Sequence, residues 1–272
     1  MGGDMKAVVL ARGQGTRMRR ADEAAPLDPA QRAAAATGVK AMIPVGRPFL
    51  DYVLSSLADA GCRRVCLVVG PGRNPVREYY GALPAPGRLA IEFAVQQEPR
   101  GTADAVAAAE AFAGGDPFLA INSDNYYPPE ALCALCAAGG PAVALFERQS
   151  LLSGGNIPPE RISRFAVAQS DGRGLLVRIL EKPDEATLAA LPEPICVSMN
   201  CWRFGPAIFA ACRAIAPSAR GELELPDAVQ YAIDALGERF RALQIRAPVL
   251  DLTTRGDIAA VAALLASREV RL

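Results

Sequence analysis

A short apolar run that ends in a glycine turn is the feature that most constrains this chain. Lys6-Ala-Val-Val-Leu-Ala11 carries β-branched residues and reads as a buried strand. Gly13-Gln14-Gly15-Thr16-Arg17 follows at once. Two glycines let a backbone take positive φ and approach a ligand with no Cβ in the way. Successive N–H groups in such a turn can converge on an anion, and Thr16 and Arg17 add a hydroxyl and a fixed charge. The pattern reads as a polyphosphate cradle at the carboxyl end of the first strand of an open α/β sheet, where such sheets bind ligands. It is not a Walker A loop. The dinucleotide fingerprint would need a third glycine where Met18 stands. Taken alone, the loop also fits a plain structural turn.

The rest of the first half alternates. Asp28 as N-cap, Pro29 as first helical residue and Gly38 as stop predict a surface helix between them. Residues 49–60 put Phe49, Val53, Leu54 and Leu57 on one helical face, with Gly61 as the stop. Strands are expected at 65–69, 89–95, 118–122 and 142–146, and helices at 76–80, 103–112 and 129–138. Alternation of this kind predicts an α/β fold with a doubly wound, mostly parallel, Rossmann-like sheet flanked by helices. Beyond residue 146 the pattern is richer in strands. They are expected at 162–168, 175–180, 195–204, 240–245 and 249–250, with helices at 206–215, 224–236 and 257–270. Ser170-Asp171-Gly172 is a hairpin-type turn signal. The expectation is one domain over 1–272, made of a 1–146 half and a smaller β-rich 147–272 half.

Composition removes whole classes of chemistry. The chain of 272 residues has no histidine, which excludes Ser-His-Asp hydrolysis, Cys-His proteolysis, His-ligated zinc and His acid–base catalysis. Lys+Arg (29) balances Asp+Glu (29), so there is no bulk charge to draw nucleic acid or an anionic membrane. No apolar run is long enough to span a bilayer, and the start lacks a signal-peptide pattern. The seven cysteines, an odd number, argue for reduced thiols, so a cytoplasmic location is expected. Cys133-x-x-Cys136 lies in a helical pattern with no second pair to complete a zinc site, and reads as packing.

Segments spread along the chain resemble, in order, those of the sugar-1-phosphate nucleotidyltransferases: glucose-1-phosphate thymidylyltransferases, UDP-sugar pyrophosphorylases and mannose-1-phosphate guanylyltransferases. Leu10-Ala-x-Gly-x-Gly-Thr-Arg17 resembles the nucleotide loop, and Lys40-Ala-Met-Ile-Pro-Val-Gly46 the K-x-[LM]-[LI]-P-V segment. Gln96 with Gly101-Thr102-Ala103 resembles Q…G-T-A, and Ser123-Asp124-Asn125 the G-D-N turn. Glu181-Lys182-Pro183 matches E-K-P, Gly221-Glu-Leu-Glu-Leu-Pro-Asp227 resembles G-E-x-E-[IL]-T-D, and Asp251 stands where the family has Asp or Asn. The resemblance implies the nucleotide-diphospho-sugar transferase fold, with a nucleotide-binding first half and a sugar-phosphate-binding second half. It implies transfer of NMP from an NTP to a sugar 1-phosphate, with NTP and sugar phosphate as partners, no nucleic acid or membrane, and room for a homo-oligomer.

The residues suit that reaction. A phosphate oxygen attacks the α-phosphorus and pyrophosphate leaves, so two anions must be neutralised and held in line with little proton transfer. The resemblance gives Leu10, Ala11, Gly13, Gly15 and Thr16 to the nucleotide, Arg17 to the leaving pyrophosphate, and Lys40 to the α-phosphate. Asp124 and Asp251 would share Mg²⁺, a hard cation suited to carboxylates, water and phosphates. Asp124 also fits an Asx turn or cap, and Asp251 a turn. Gln96, Gly101 and Thr102 would flank the base, and the donor and acceptor of Gln96 suit the imide edge of uracil or thymine. Glu181, Lys182, Asn200 and Glu222 would meet the sugar phosphate.

The chain departs from the family in places. Arg12 replaces Ala or Gly, and adds a phosphate contact or fills the base pocket. The 19–38 connection is longer and reads as a lid. Ser123 replaces Gly, and Asn200-Cys-Trp202 replaces Asn-x-Gly, so that Trp202 would narrow the sugar pocket. UTP or dTTP is the expected nucleotide. The alternatives are a non-catalytic nucleotide-sugar-binding module, a cytidylyltransferase for phosphocholine-type acceptors, a dinucleotide oxidoreductase, or nucleotide transfer to molybdopterin.

Overall fold

Strand β1 (Met5–Leu10) has both faces buried, which is why Ala7–Leu10 is apolar on both faces and the one charge, Lys6, sits near the strand's start. Ala7 and Val9 join the core on one side of the sheet, and Val8 joins the core on the other. The computed structural model describes residues 5–20, 22, 24–84, 87–163, 165–180, 183, 184, 186, 188, 191 and 193–272. The remaining strands are β2 (Cys62–Val69), β3 (Ala90–Val95), β4 (Phe118–Asn122), β5 (Asn125–Tyr126), β6 (Ala142–Glu147), β7 (Ala166–Ser170), β8 (Leu176–Leu180), β9 (Cys196–Phe204), β10 (Arg241–Ile245) and β11 (Leu250–Asp251). Among the described residues the main sheet runs β10-β6-β9-β4-β1-β2-β3, with a β7–β8 hairpin attached to β9.

Strands β3, β2, β1 and β4 form the parallel block that alternation predicts. Helices Phe49–Asp59, Pro129–Ala137 and Asp257–Leu265 bury side chains in one core, and helices Thr102–Ala107, Ala207–Ala214 and Leu225–Asp234 in the other. The sheet is therefore wound on both faces. The capping expected at Asp28 is present: its carboxylate accepts from Gln31 N at 2.8 Å, and Gln31 Oε1 accepts from Asp28 N at 3.2 Å. The helix Pro29–Thr37 ends at Gly38, with φ 77°.

The sequence does not reveal where β9 goes. It lies antiparallel between β4 and β6, so a strand of the second half completes the sheet of the first. Within β9, Val143 faces Trp202 while Leu145 faces Ser198, a bulge that contains Asn200 at φ 54°. Trp202 has no exposed surface and stacks on Phe204, with Phe240 edge-on. The expectation that Trp202 narrows a sugar pocket is thus corrected: strand alternation turns it into the core.

Other elements also differ from expectation. The alanine-rich 103–112 stretch breaks into Thr102–Ala107 and Glu110–Ala113, because Ala109 N bonds back only three residues, to Val106 O. The strand expected from 162 begins at Ala166, because Pro159 starts a helical turn, Pro159–Ile162. Helix Arg148–Gly154, the 3₁₀ turn Lys40–Met42 and the two-residue β5 carry no periodic signal and were not expected. The closing helix stops at Leu265.

Candidate functional site

A cleft of about 460 Å³ opens at the carboxyl ends of β1, β3 and β4. That is where a doubly wound sheet leaves room for a ligand. Its walls include Leu10, Ala11, Gly13, Gly15, Thr16, Lys40, Gln96, Gly101, Thr102, Asp124 and Glu222. These positions, separated in sequence and named from motifs, lie around one opening.

The two loop glycines do different work. A Cβ on Gly13 would meet nothing within 4 Å, so its backbone is open to a ligand. Gly15 has φ 58°, and a Cβ there would lie 1.9 Å from Gly38 O. Gly15 therefore serves the close passage of two chain segments rather than ligand approach. That contact fixes the turn carrying Lys40, whose N–H donates to Gly38 O at 3.0 Å. Helix Pro29–Thr37, part of the 19–38 segment expected as a lid, buries Ala35, and Gln31 Nε2 donates to Pro44 O at 3.0 Å. Arg17 is exposed and makes no ion pair among the described residues.

A second clasp forms the opposite corner. Gly101 has φ 120°, and a Cβ there would lie 2.4 Å from Leu223 O. Leu223 N donates to Arg100 O at 2.7 Å, and Ala103 N to Leu223 O at 2.9 Å. Thr102 Oγ1 accepts from Leu225 N at 2.9 Å, at the start of helix Leu225–Asp234. The G-T-A and G-E-L-E-L-P segments are thereby joined, and Glu222 faces the cleft. Gln96 is 4% exposed; its Nε2 donates to Gly101 O at 3.0 Å and to Asp104 Oδ2 at 2.8 Å. Both amide N–H bonds are used internally, and among the described residues Oε1 accepts no hydrogen bond. The imide pairing expected of Gln96 alone thus lacks its donor.

The third part is acidic. Lys40 Nζ lies 2.7 Å from Asp124 Oδ2. Asp124 sits just before β5, and its carbonyl accepts from Leu252 N at 2.9 Å. Pairing of β5 with β11 sets Asp251 opposite Asn125. Asp251 is buried, accepting from Asn125 Nδ2 at 3.0 Å and from Arg161 Nη1 at 2.9 Å. Burial pushes its carboxyl above the usual carboxylate range; the nearby Asp124 charge acts the same way, while Thr253, Lys40 and Arg161 oppose. Arg161 also spans Asp257 at 3.0 Å, and Asn156 both accepts from Asp251 N and donates to its carbonyl. Arg161, Asn156 and Asp257 escape sequence reasoning, because only the fold brings Arg161 beside an acid 90 residues away. Asn200 is not among the residues that line the cleft: Tyr127 Oη donates to Met199 O at 2.7 Å and lies 3.3 Å from both Asn200 O and Asn122 N, and Asn200 Oδ1 accepts from Trp202 Nε1 at 3.3 Å. Glu181 and Lys182 lie outside the described residues.

An open α/β sheet with a glycine turn, a paired lysine and aspartate and an amide corner at one mouth has the form of a nucleotide-binding α/β protein. Residues 6–246 match the profile described as Nucleotidyl transferase, and the chain belongs to that family. It is 31% identical over 240 residues to the low-salt glycan biosynthesis nucleotidyltransferase Agl11 of Haloferax volcanii, covering 85% of this chain and 59% of the relative. It is 33% identical over 239 residues to the glucose-1-phosphate thymidylyltransferase of Streptomyces antibioticus, covering 85% and 58%. With the UTP–glucose-1-phosphate uridylyltransferase AglF of Haloferax volcanii it shares 28% over 253 residues, and 91% of each is covered. The chain thus spans less than two thirds of the first two relatives (59% and 58%). A crystal structure of UDP-glucose pyrophosphorylase complexed with UDP-glucose superposes with a TM-score of 0.74 over 98% of this chain and 100% of that one; at 19% identity this likeness speaks for the fold.

Proposed function

We propose that this protein transfers a nucleoside monophosphate from an NTP, UTP or dTTP, to a sugar 1-phosphate, releasing pyrophosphate and an NDP-sugar. The observation that carries the proposal is the Lys40–Asp124 pair, 2.7 Å apart at the mouth of a cleft that Gly13 leaves open. A sugar phosphate oxygen attacks the α-phosphorus, the bond to the bridging oxygen breaks, and the electron pair leaves on pyrophosphate. No proton need move in that step, which suits a chain without histidine. The amides around Gly13 receive the distal phosphates, Arg17 balances the leaving charge, and Lys40 draws both phosphates to one point. The first half of the chain holds the nucleotide. Asn200, Glu222, Glu181 and Lys182 of the second half take the sugar phosphate.

Mg²⁺ belongs to the proposal, with Asp124 and Asp251 as its protein ligands. Asp124 uses one oxygen on Lys40 and keeps Oδ1. Asp251 Oδ1 accepts from Asn125 and Oδ2 from Arg161, and a carboxylate has further lone pairs for a cation. Among the described residues no group of three or more acids, histidines or cysteines gathers. One or two carboxylates is the set Mg²⁺ takes when water and substrate phosphates supply the rest. When bound, the ion neutralises phosphate charge. Among the described residues no helix is long and apolar enough to cross a membrane. The seven cysteines are free thiols, which supports a reducing, cytoplasmic setting.

The test is pyrophosphate release from each NTP with Mg²⁺ and a panel of sugar 1-phosphates. Release with at least one pair is expected, and Asp124→Ala should lower it by on the order of 10²–10³-fold. No release with any pair would refute the reaction.

A further inference from the structure

Arg12 is where this chain leaves its family's loop pattern, and the proposed reaction does not use it. Its stem lies across Gly70, just past β2; a Cβ on Gly70 would sit 3.1 Å from Arg12 Nε. Nη2 donates to Gln97 O at 3.0 Å, just past β3. The side chain therefore runs from the end of β1 over the end of β2 to the end of β3, along one wall of the cleft. Nη1 is buried with no acceptor, and Arg12 has no ion pair among the described residues. A native fold seldom leaves a charged donor in that state unless something else supplies the acceptor.

Gln96, on the same wall, has the complementary shortage. Both its N–H bonds are taken by Gly101 O and Asp104, and among the described residues Oε1 receives no hydrogen bond. The wall thus offers one strong donor from the end of β1, carried across the end of β2, and one acceptor from the end of β3. Uracil and thymine present a carbonyl beside a ring N–H; cytosine presents an amino group beside a bare ring nitrogen. We propose that Arg12 is the residue that reads the base, donating through Nη1 to the O4 carbonyl of a uracil or thymine ring, where cytosine has its amino group, while the ring N–H is received by Gln96 Oε1. The assignment rests on the nucleotide site of the proposed function, and it gives Arg12 a base contact rather than a phosphate contact or a blocking role. The guanidinium supplies the donor that Gln96 has spent.

UTP and CTP differ only at this edge, so their dissociation constants isolate it, and calorimetric titration needs no turnover. For the unaltered protein, UTP should bind at least about tenfold more tightly than CTP, the size of effect expected from one charged hydrogen bond. Arg12→Met keeps the aliphatic stem over Gly70 without the donors and should cut that preference severalfold, leaving the smaller part that Gln96 Oε1 supplies. Arg12→Lys, which keeps a cation, should fall between. Equal affinities in the unaltered protein would overturn the assignment, as would equal weakening of both nucleotides in Arg12→Met or tighter binding of either. If UTP is preferred and the preference shrinks severalfold in Arg12→Met, yet no sugar phosphate releases pyrophosphate, the base reading stands and the reaction falls.

Discussion

The cleft has two walls built on different physics. On the glycine wall, which meets the cleft at two opposite corners, Gly15 against Gly38 and Gly101 against Leu223 bring main chain onto main chain where a single Cβ would collide. Such contacts are indifferent to salt and pH. On the acid wall, Lys40 faces Asp124 at the cleft, and behind them, outside the cleft lining, Arg161 lies between the buried Asp251 and Asp257. Those charges are held by one another, and burial has already pushed the Asp251 carboxyl upward. The difference suggests a division of labour. Shape is fixed on the glycine wall by covalent geometry, while the acid wall keeps its charges adjustable for groups that arrive and leave.

Breaking the acid wall should cost most. Arg161→Met leaves two buried carboxylates without their cation, and about 3–5 kcal/mol of stability should be lost. A urea midpoint close to that of the unaltered protein would show that the wall does not depend on its charge pairs. Gly15→Ala should come next. The new methyl meets Gly38 O in a left-handed backbone, so a loss of about 2–3 kcal/mol is expected in the same denaturation experiment. Near-normal stability would mean that the two segments part easily, and the contrast between the walls would vanish. Gly13→Ala sharpens the comparison from the other side. Its Cβ meets nothing, so stability should stay within about 0.5 kcal/mol. Nucleotide affinity should fall instead, because the methyl enters the space kept for phosphate. A variant that lost stability but kept affinity would assign Gly13 to the fold rather than to the ligand.

Much of the glycine wall is legible in the sequence because its causes are local. A β-branched run, glycines at a strand end and Asp28-Pro29…Gly38 each specify their own backbone. What the sequence does not disclose is that Gly15 answers to Gly38 rather than to a ligand, since that depends on which segments meet. The acid wall is less legible for a related reason. Asp124 and Asp251 stand out in motifs, but Arg161 sits on an ordinary helical turn until β11 pairs with β5 and brings Asp251 to it. Likewise, a buried strand such as β9 shows the same run of apolar residues wherever it inserts, and Trp202 reads alike as pocket or core until its neighbours are known.

The insertion of β9 also bears on how the protein is made. Strands β4 and β6 are synthesised early, yet each has an open hydrogen-bonding edge until residues 196–204 leave the ribosome and slide between them. A chain cut short at residue 190 would possess the whole glycine loop and both halves of the unfinished gap. Its exposed edges would be free to pair with another copy, so aggregation rather than a small nucleotide-binding fragment is the expected fate of such a truncation.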